Sequence, residues 1–230
     1  MVNTEGETRR ILILNWFSSH MLSIFLFCSF FFTFSFKRCS ATDTLTISNF
    51  LQDGGGDNTL VSKGEKFELG FFTPYGSSIG KRYVGIWYYK LTPLTVVWVA
   101  NRDKPLVDSW GAFGIAEDGN LKVLDKNGKA YWGTNLEGSS LQHRIVKLMG
   151  NGNLIVSHEV NHQVKILWQS FANPTDTFLP GMKMDDNLAL TSWRSYEDPA
   201  PGNFSFEHDQ GENKYIIRKR SITYWKSSVS

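Results

Sequence analysis

After residue 41, hydrophobic positions come in short runs of Val, Ile, Leu, Phe, Tyr and Trp, separated by Gly, Asn and Asp. FELGFF (67–72), YVGIWYY (83–89), TVVWVAN (95–101), NLKVLD (120–125), KAYWGTN (129–135), NLIVSH (153–158) and KILWQS (165–170) are the clearest. Helical periodicity is almost absent. Short β-branched and aromatic runs between turn-forming residues predict an all-β chain of many short strands.

Several of these runs match one another. Aligning the segments at 83–101, 117–135 and 150–170 puts Gly85, Gly119 and Gly152 in register, and likewise Trp98, Trp132 and Trp168, at a spacing of about 34 residues. Each copy reads as a glycine turn, a strand, a second turn and a strand ending in Trp. The second turn is Lys126–Asn127–Gly128 in copy two, with the Asn-Gly pair of a tight hairpin. In copy one it is Leu91–Thr92–Pro93, and in copy three a longer stretch around Glu159 to Gln163. One such hairpin cannot bury its apolar face alone. Three related sheets around a common axis can, with the Trp rings as a shared core. The alternative role for Trp98, Trp132 and Trp168 is sugar stacking.

Residues 1–40 stand apart. Arg9 and Arg10 precede an apolar run from Ile11 to Phe36, and small residues at Ser40 and Ala41 follow, as in a secretory signal. The competing reading is an uncleaved membrane anchor, since the run is long enough to span a bilayer. The segment holds both cysteines, Cys28 and Cys39, four basic and two acidic residues. The rest therefore has no cysteine and a formal charge of zero, from 24 − 4 basic and 22 − 2 acidic side chains. That balance gives no reason to expect a nucleic-acid partner or a basic membrane patch. A membrane association is expected only with an uncleaved signal or a longer product.

Candidate chemistry narrows the picture. His158–Glu159–Val160–Asn161–His162 fits H-E-x-x-H, which needs a helix to bring both His to one metal. Here it lies between strand runs, so a solvated turn is expected. Asp53 to Asn58 is glycine-rich but lacks the Lys and Ser or Thr of a phosphate loop, and His143–Arg144 is not followed by the Asp of a kinase catalytic loop. No metal, cofactor or catalytic residue is expected, and the chain does not read as an enzyme. Asn203–Phe204–Ser205 is a glycosylation sequon, whereas Asn173–Pro174–Thr175 is blocked by proline. Asp118–Gly119–Asn120–Leu121 and Asn151–Gly152–Asn153–Leu154 have two readings. The Asx side chains cap a β-turn, or Asp118, Asn120, Asn151 and Asn153 form shallow sugar sites, residues two apart on a strand sharing a face.

TLVSKGEKFELGFFTP, YVGIWYYK, VVWVANRDKPL, DGNLKVLD, NGNLIV, LWQSFANPTDTFLPGMKM and LTSWRSYEDPAPGNFSF together resemble the extracellular N-terminus of plant G-type lectin S-receptor-like serine/threonine kinases, and they cover nearly everything after residue 41. The resemblance implies a bulb-type, mannose-binding lectin domain of β-prism II form at 41–173. It also implies the start of a second, S-locus glycoprotein-type domain at 174–230, broken off at Ser230 as in a truncated product, a partial gene model or a soluble variant. The family's sugar motif, Q-x-D-x-N-x-V-x-Y, carries over as Ala116, Asp118, Asn120, Lys122 and Leu124 in copy two and as Met149, Asn151, Asn153, Ile155 and Ser157 in copy three. Copy one has Trp87 and Tyr88 where the polar strand should begin. Gln and Tyr are missing, which removes hydrogen bonds that recognise sugar hydroxyls.

The expected function is an extracellular, non-catalytic recognition module for a mannose-type glycan or a peptide, or for another receptor ectodomain. The rival is a truncated or decoy fragment that binds no sugar and engages protein partners only, with a poorly ordered tail after about residue 175.

Overall fold

The computed structural model describes residues 42–54, 58–77, 80–137, 144–160, 163–184 and 188–228. The expected signal segment lies outside them. Among the described residues, the strands are antiparallel and fall into four sheets of four.

Three of the sheets carry the repeat. In the first, β3 (Leu60–Val61), β4 (Phe67–Phe72), β5 (Tyr83–Tyr88) and β6 (Val96–Val99) follow in order. The second joins β2 (Leu51–Gln52) to β7 (Ala112–Ile115), β8 (Leu121–Leu124) and β9 (Ala130–Gly133). The third joins β1 (Thr44–Thr46) to β10 (Arg144–Leu148), β11 (Leu154–Val160) and β12 (Gln163–Gln169). The segment at 44–61 thus lends one edge strand to each sheet, in reverse order of the repeats. Every sheet turns alternate residues to a common interior, the period-2 pattern of a half-buried strand. Val84 and Ile86 on β5, Leu121 and Val123 on β8, and Leu154 and Val156 on β11 are all completely buried in one cluster. This is a β-prism lectin fold.

At its axis the three tryptophans meet. Ring centroids are 5.7 Å apart for Trp98 and Trp132, 5.6 Å for Trp132 and Trp168, and 5.9 Å for Trp98 and Trp168. The interplanar angles of 79°, 75° and 63° put an edge of one ring on the face of another, the arrangement favoured by the aromatic quadrupole.

Strand pairing changes the expected glycine register. Ile86 pairs with Trp98, Val123 with Trp132 and Val156 with Trp168, and the register shifts immediately after Ile86, Val123 and Val156 in all three copies. With Trp98, Trp132 and Trp168 equivalent, Gly119 and Gly152 correspond to Arg82, not to Gly85. Gly119 and Gly152 need glycine for positive φ, +78° and +88°. Gly85 needs it for space: a Cβ would stand 2.6 Å from the Phe72 ring and 2.8 Å from the Trp98 carbonyl. Shared glycines with different physical causes had mimicked a register.

The described residues after 175 form a sheet rather than an unstructured tail. β13 (Ala189–Ser195), β14 (Asp198–Asp209), β15 (Lys214–Lys219) and β16 (Ile222–Lys226) form the fourth sheet. Before it, Leu179 enters the core cluster of the three repeat sheets. Arg102 bolts the fourth sheet down: Nε donates to the Pro199 carbonyl at 2.7 Å, and Nη2 to those of Thr191 and Ser192 at 3.1 and 3.0 Å. Trp193 packs on a second cluster of Phe72, Tyr83, Trp87 and Val99. A tail too short for its own core is therefore stabilised by borrowing one.

Trp98→Ala is expected to cost about 3–5 kcal/mol in urea denaturation. A loss below about 1 kcal/mol would show that the ring triad does not hold the prism together.

Candidate functional site

The fold offers three equivalent outward faces, and each is chemically different. One device is common to them. The backbone N–H at the start of the third strand of each sheet donates to a side chain that follows the Trp strand: Val84 to Asn101 Oδ1 at 2.8 Å, Leu121 to Thr134 Oγ1 at 3.2 Å, and Leu154 to Ser170 Oγ at 2.9 Å.

Asn120 and Asn153 belong to this latch. Asn120 Oδ1 accepts from Thr134 Oγ1 at 3.1 Å and from the Leu136 N–H. Asn153 Oδ1 accepts from Ser170 Oγ and the Phe171 N–H, both at 3.2 Å, while its Nδ2 donates to Gln169 Oε1 at 2.9 Å. Both side chains are buried. Asp118 and Asn151 instead form Asx turns, accepting from the N–H groups of Asn120 and Asn153 at 3.1 and 3.2 Å. The structure thus gives all four residues local partners and does not gather them on one open surface.

Face one is covered. By strand register Tyr83 stands where Asn120 and Asn153 stand, and Trp87 where Leu124 and Ser157 stand, so Trp87 ends this polar-strand position rather than beginning it. Tyr83 and Trp87 are both buried beneath Trp193 of the fourth sheet. Burial first, and the nearby Asp198 carboxylate second, push the Tyr83 hydroxyl up to about 12.

Face two is open. A groove of about 610 Å³ is lined by Ile47, Phe50, Ala116, Asp118, Lys122 and Leu124, among others. Partial burial would raise the Asp118 pKa, but hydrogen bonds from Lys122 and Asn120 outweigh it and hold the carboxyl below its ordinary value. Lys122 Nζ sits on Asp118 Oδ2, so the groove's carboxylate already has a cation. On face three, Ile155 and Ser157 are buried, and Met149 is exposed.

The other sequence motifs resolve simply. His158 and Glu159 lie on strand β11, not on a helix, and His162 lies outside the described residues, as does His143. Asp53 is bound by Arg82, whose Nε donates to Oδ2 at 2.8 Å and whose Nη2 contacts Oδ1. Asn203 is exposed on β14, and its Oδ1 accepts from Arg220 Nε at 3.3 Å. Sequence reasoning missed Arg102 and Asp176. The run Asn101–Arg102–Asp103 was a visible signal: a charged residue directly after a buried strand needs a partner.

Asp176 is half-buried beside the fourth sheet. Desolvation raises its pKa above the ordinary carboxylate value, against the opposing hydrogen bond from Thr175 and the charge of Arg102.

Comparison with known proteins completes the description. The D-mannose binding lectin family matches residues 95–200. A G-type lectin S-receptor-like serine/threonine-protein kinase of Arabidopsis thaliana is 56% identical over 185 residues, covering 80% of this chain and 22% of that protein. Another Arabidopsis kinase of this type is 37% identical over 92% of this chain and 26% of its own length. An S-locus-specific glycoprotein of Brassica oleracea is 42% identical over 82% of this chain and 43% of its own length. Fold and matches together point to a bulb-type lectin domain. The chain is a homologue of plant G-type lectin S-receptor-like kinases and S-locus glycoproteins, and it spans only about a fifth of the kinases' length. What it matches in the kinases is their lectin ectodomain region.

Two outcomes follow from this geometry. Asn120→Ala should cost about 1–3 kcal/mol, because the part-buried Leu136 N–H and Thr134 hydroxyl lose their acceptor. A neutral effect in thermal denaturation would contradict the latch. The raised Asp176 pKa means that the folded state holds a proton the unfolded chain releases. Stability from this group is therefore present at acid pH and lost as pH rises past the ordinary carboxylate value. Relative to Asp176→Asn, the wild-type unfolding midpoint should fall as the pH rises above about 4, the ordinary carboxylate value; parallel curves would contradict it.

Proposed function

We propose that this chain is an extracellular, non-catalytic recognition module of a plant S-domain receptor-like protein, and that its carbohydrate contact is confined to the groove of face two. The single observation behind this reading is the open groove around Asp118. Asp118 is the acceptor for sugar hydroxyls there, Phe50 is the apolar floor, and Asn120, Asn151 and Asn153 support the turns. Lys122 competes for Asp118, which favours ligands richer in acceptor groups than a simple mannoside. Residues 1–40 act as a signal peptide, residues 41–173 form the lectin domain and residues 174–230 begin the S-locus glycoprotein-type domain. Asn203, exposed on the fourth sheet, carries an N-glycan. Signalling in self/non-self or cell-surface recognition, with a second receptor ectodomain as partner, follows from the relatives' names as receptor kinases and an S-locus-specific glycoprotein.

A glycan array with the secreted full chain tests this. Binding that Asp118→Ala reduces by about tenfold or more supports the groove. Binding that survives Asp118→Ala places the contact elsewhere. Absence of binding to every glycan, mannose-type included, favours the rival in which only protein partners are engaged. On the same material, a glycosidase-sensitive mass shift lost in Asn203→Gln checks the sequon.

A further inference from the structure

A second cavity, about 690 Å³, lies where the first sheet meets the fourth, and it shares no lining residue with the groove around Asp118. Phe72, Leu94 and Trp193 line it with apolar surface. Tyr75 and Tyr196 also line it, both well exposed, their ring centroids 6.4 Å apart and inclined at 70°. Among the described residues that line it, the only carboxylate is Asp176.

That carboxylate is unusual. Thr175 Oγ1 donates to Oδ1 at 2.9 Å. Among the described residues no Lys, Arg or His makes an ion pair with it, and Arg102 spends its donors on the carbonyls of Pro199, Thr191 and Ser192. The Trp193 indole nitrogen is buried without a hydrogen bond of normal geometry, although it leans on Asp176 closely enough to favour the charged form. Desolvation still dominates the carboxyl's behaviour. A partly desolvated carboxylate that makes no ion-pair contact, and is compensated only by the charge of Arg102, gains from a cation brought to it. Aromatic faces around the same space attract the same charge through their quadrupoles. An anion would meet repulsion from Asp176, and a plain hydrocarbon would leave the carboxylate unpaired.

We propose that this cavity binds a small organic ammonium ion, a primary or methylated amine on an apolar stem. The nitrogen meets Asp176, and the stem lies against Leu94, Tyr75 and Tyr196. No residue assigned to the lectin groove takes part, so this site stands or falls independently of sugar binding.

The test uses the full secreted chain, with calorimetry and tryptophan fluorescence as readouts. The probes are benzylammonium chloride, its neutral analogue benzyl alcohol, and benzoate. Benzylammonium should bind with a Kd near or below about 1 mM and perturb Trp fluorescence, with benzyl alcohol at least about tenfold weaker and benzoate silent. Asp176→Asn should weaken benzylammonium by about tenfold or more, and Tyr196→Ala by a smaller factor. Asp118→Ala should leave it unchanged. Tyr196 is exposed, so its variant tests the site even where Asp176→Asn perturbs folding. Equal affinity for benzyl alcohol, no loss in Asp176→Asn and Tyr196→Ala, or no benzylammonium binding up to about 10 mM would overturn the proposal.

Discussion

Everything else in this molecule depends on three indole rings meeting edge to face around one axis. Each ring sits at the same place on the last strand of its sheet, opposite Ile86, Val123 or Val156. A one-residue slip would turn each Trp outward, because side chains alternate along a strand. The triad therefore demands a fixed register in three hairpins of different length. The register shift placed identically in each copy meets that demand, and the side-chain latches from Asn101, Thr134 and Ser170 hold the strand starts in line.

A threefold core does not make a threefold surface. Face one is sealed by the fourth sheet, with Tyr83 and Trp87 buried against Trp193 and the guanidinium of Arg102 tying the layers together. Face two stays open, but Lys122 lies across its carboxylate. On face three the amide of Asn153 is consumed by Gln169, Ser170 and Phe171. The same residues that would present hydrogen bonds to a sugar are used to position the scaffold. That is why lectin describes the architecture more firmly than it describes a ligand.

Much of this was legible in the sequence. Short apolar runs, turn residues and recurrent Trp98, Trp132 and Trp168 specified the strands and the shared axis. The glycine register was not legible, because Gly85 answers to a steric approach of Phe72 and the Trp98 carbonyl while Gly119 and Gly152 answer to backbone angles. The edge strands at 44–61 were hidden by being two or three residues long. The structure of residues 188–228 was hidden for another reason: Trp193 finds its apolar partners in Phe72, Tyr83 and Trp87, about a hundred residues away along the chain. At the candidate site, the D-x-N spacing was visible, but whether Asn120 faces outward or inward depends on what lies at Thr134 and Leu136, far along the chain.

Native-state hydrogen exchange on the full chain tests the central claim most directly, that the fourth sheet and the three-sheet prism form one cooperative unit sealed over face one. The account predicts that amides of β5 and of the β13–β14 pair exchange with similarly high protection, and that both lose it together in Arg102→Ala. Rapid exchange in β13–β14 while β5 remains protected in the unmodified chain would contradict it.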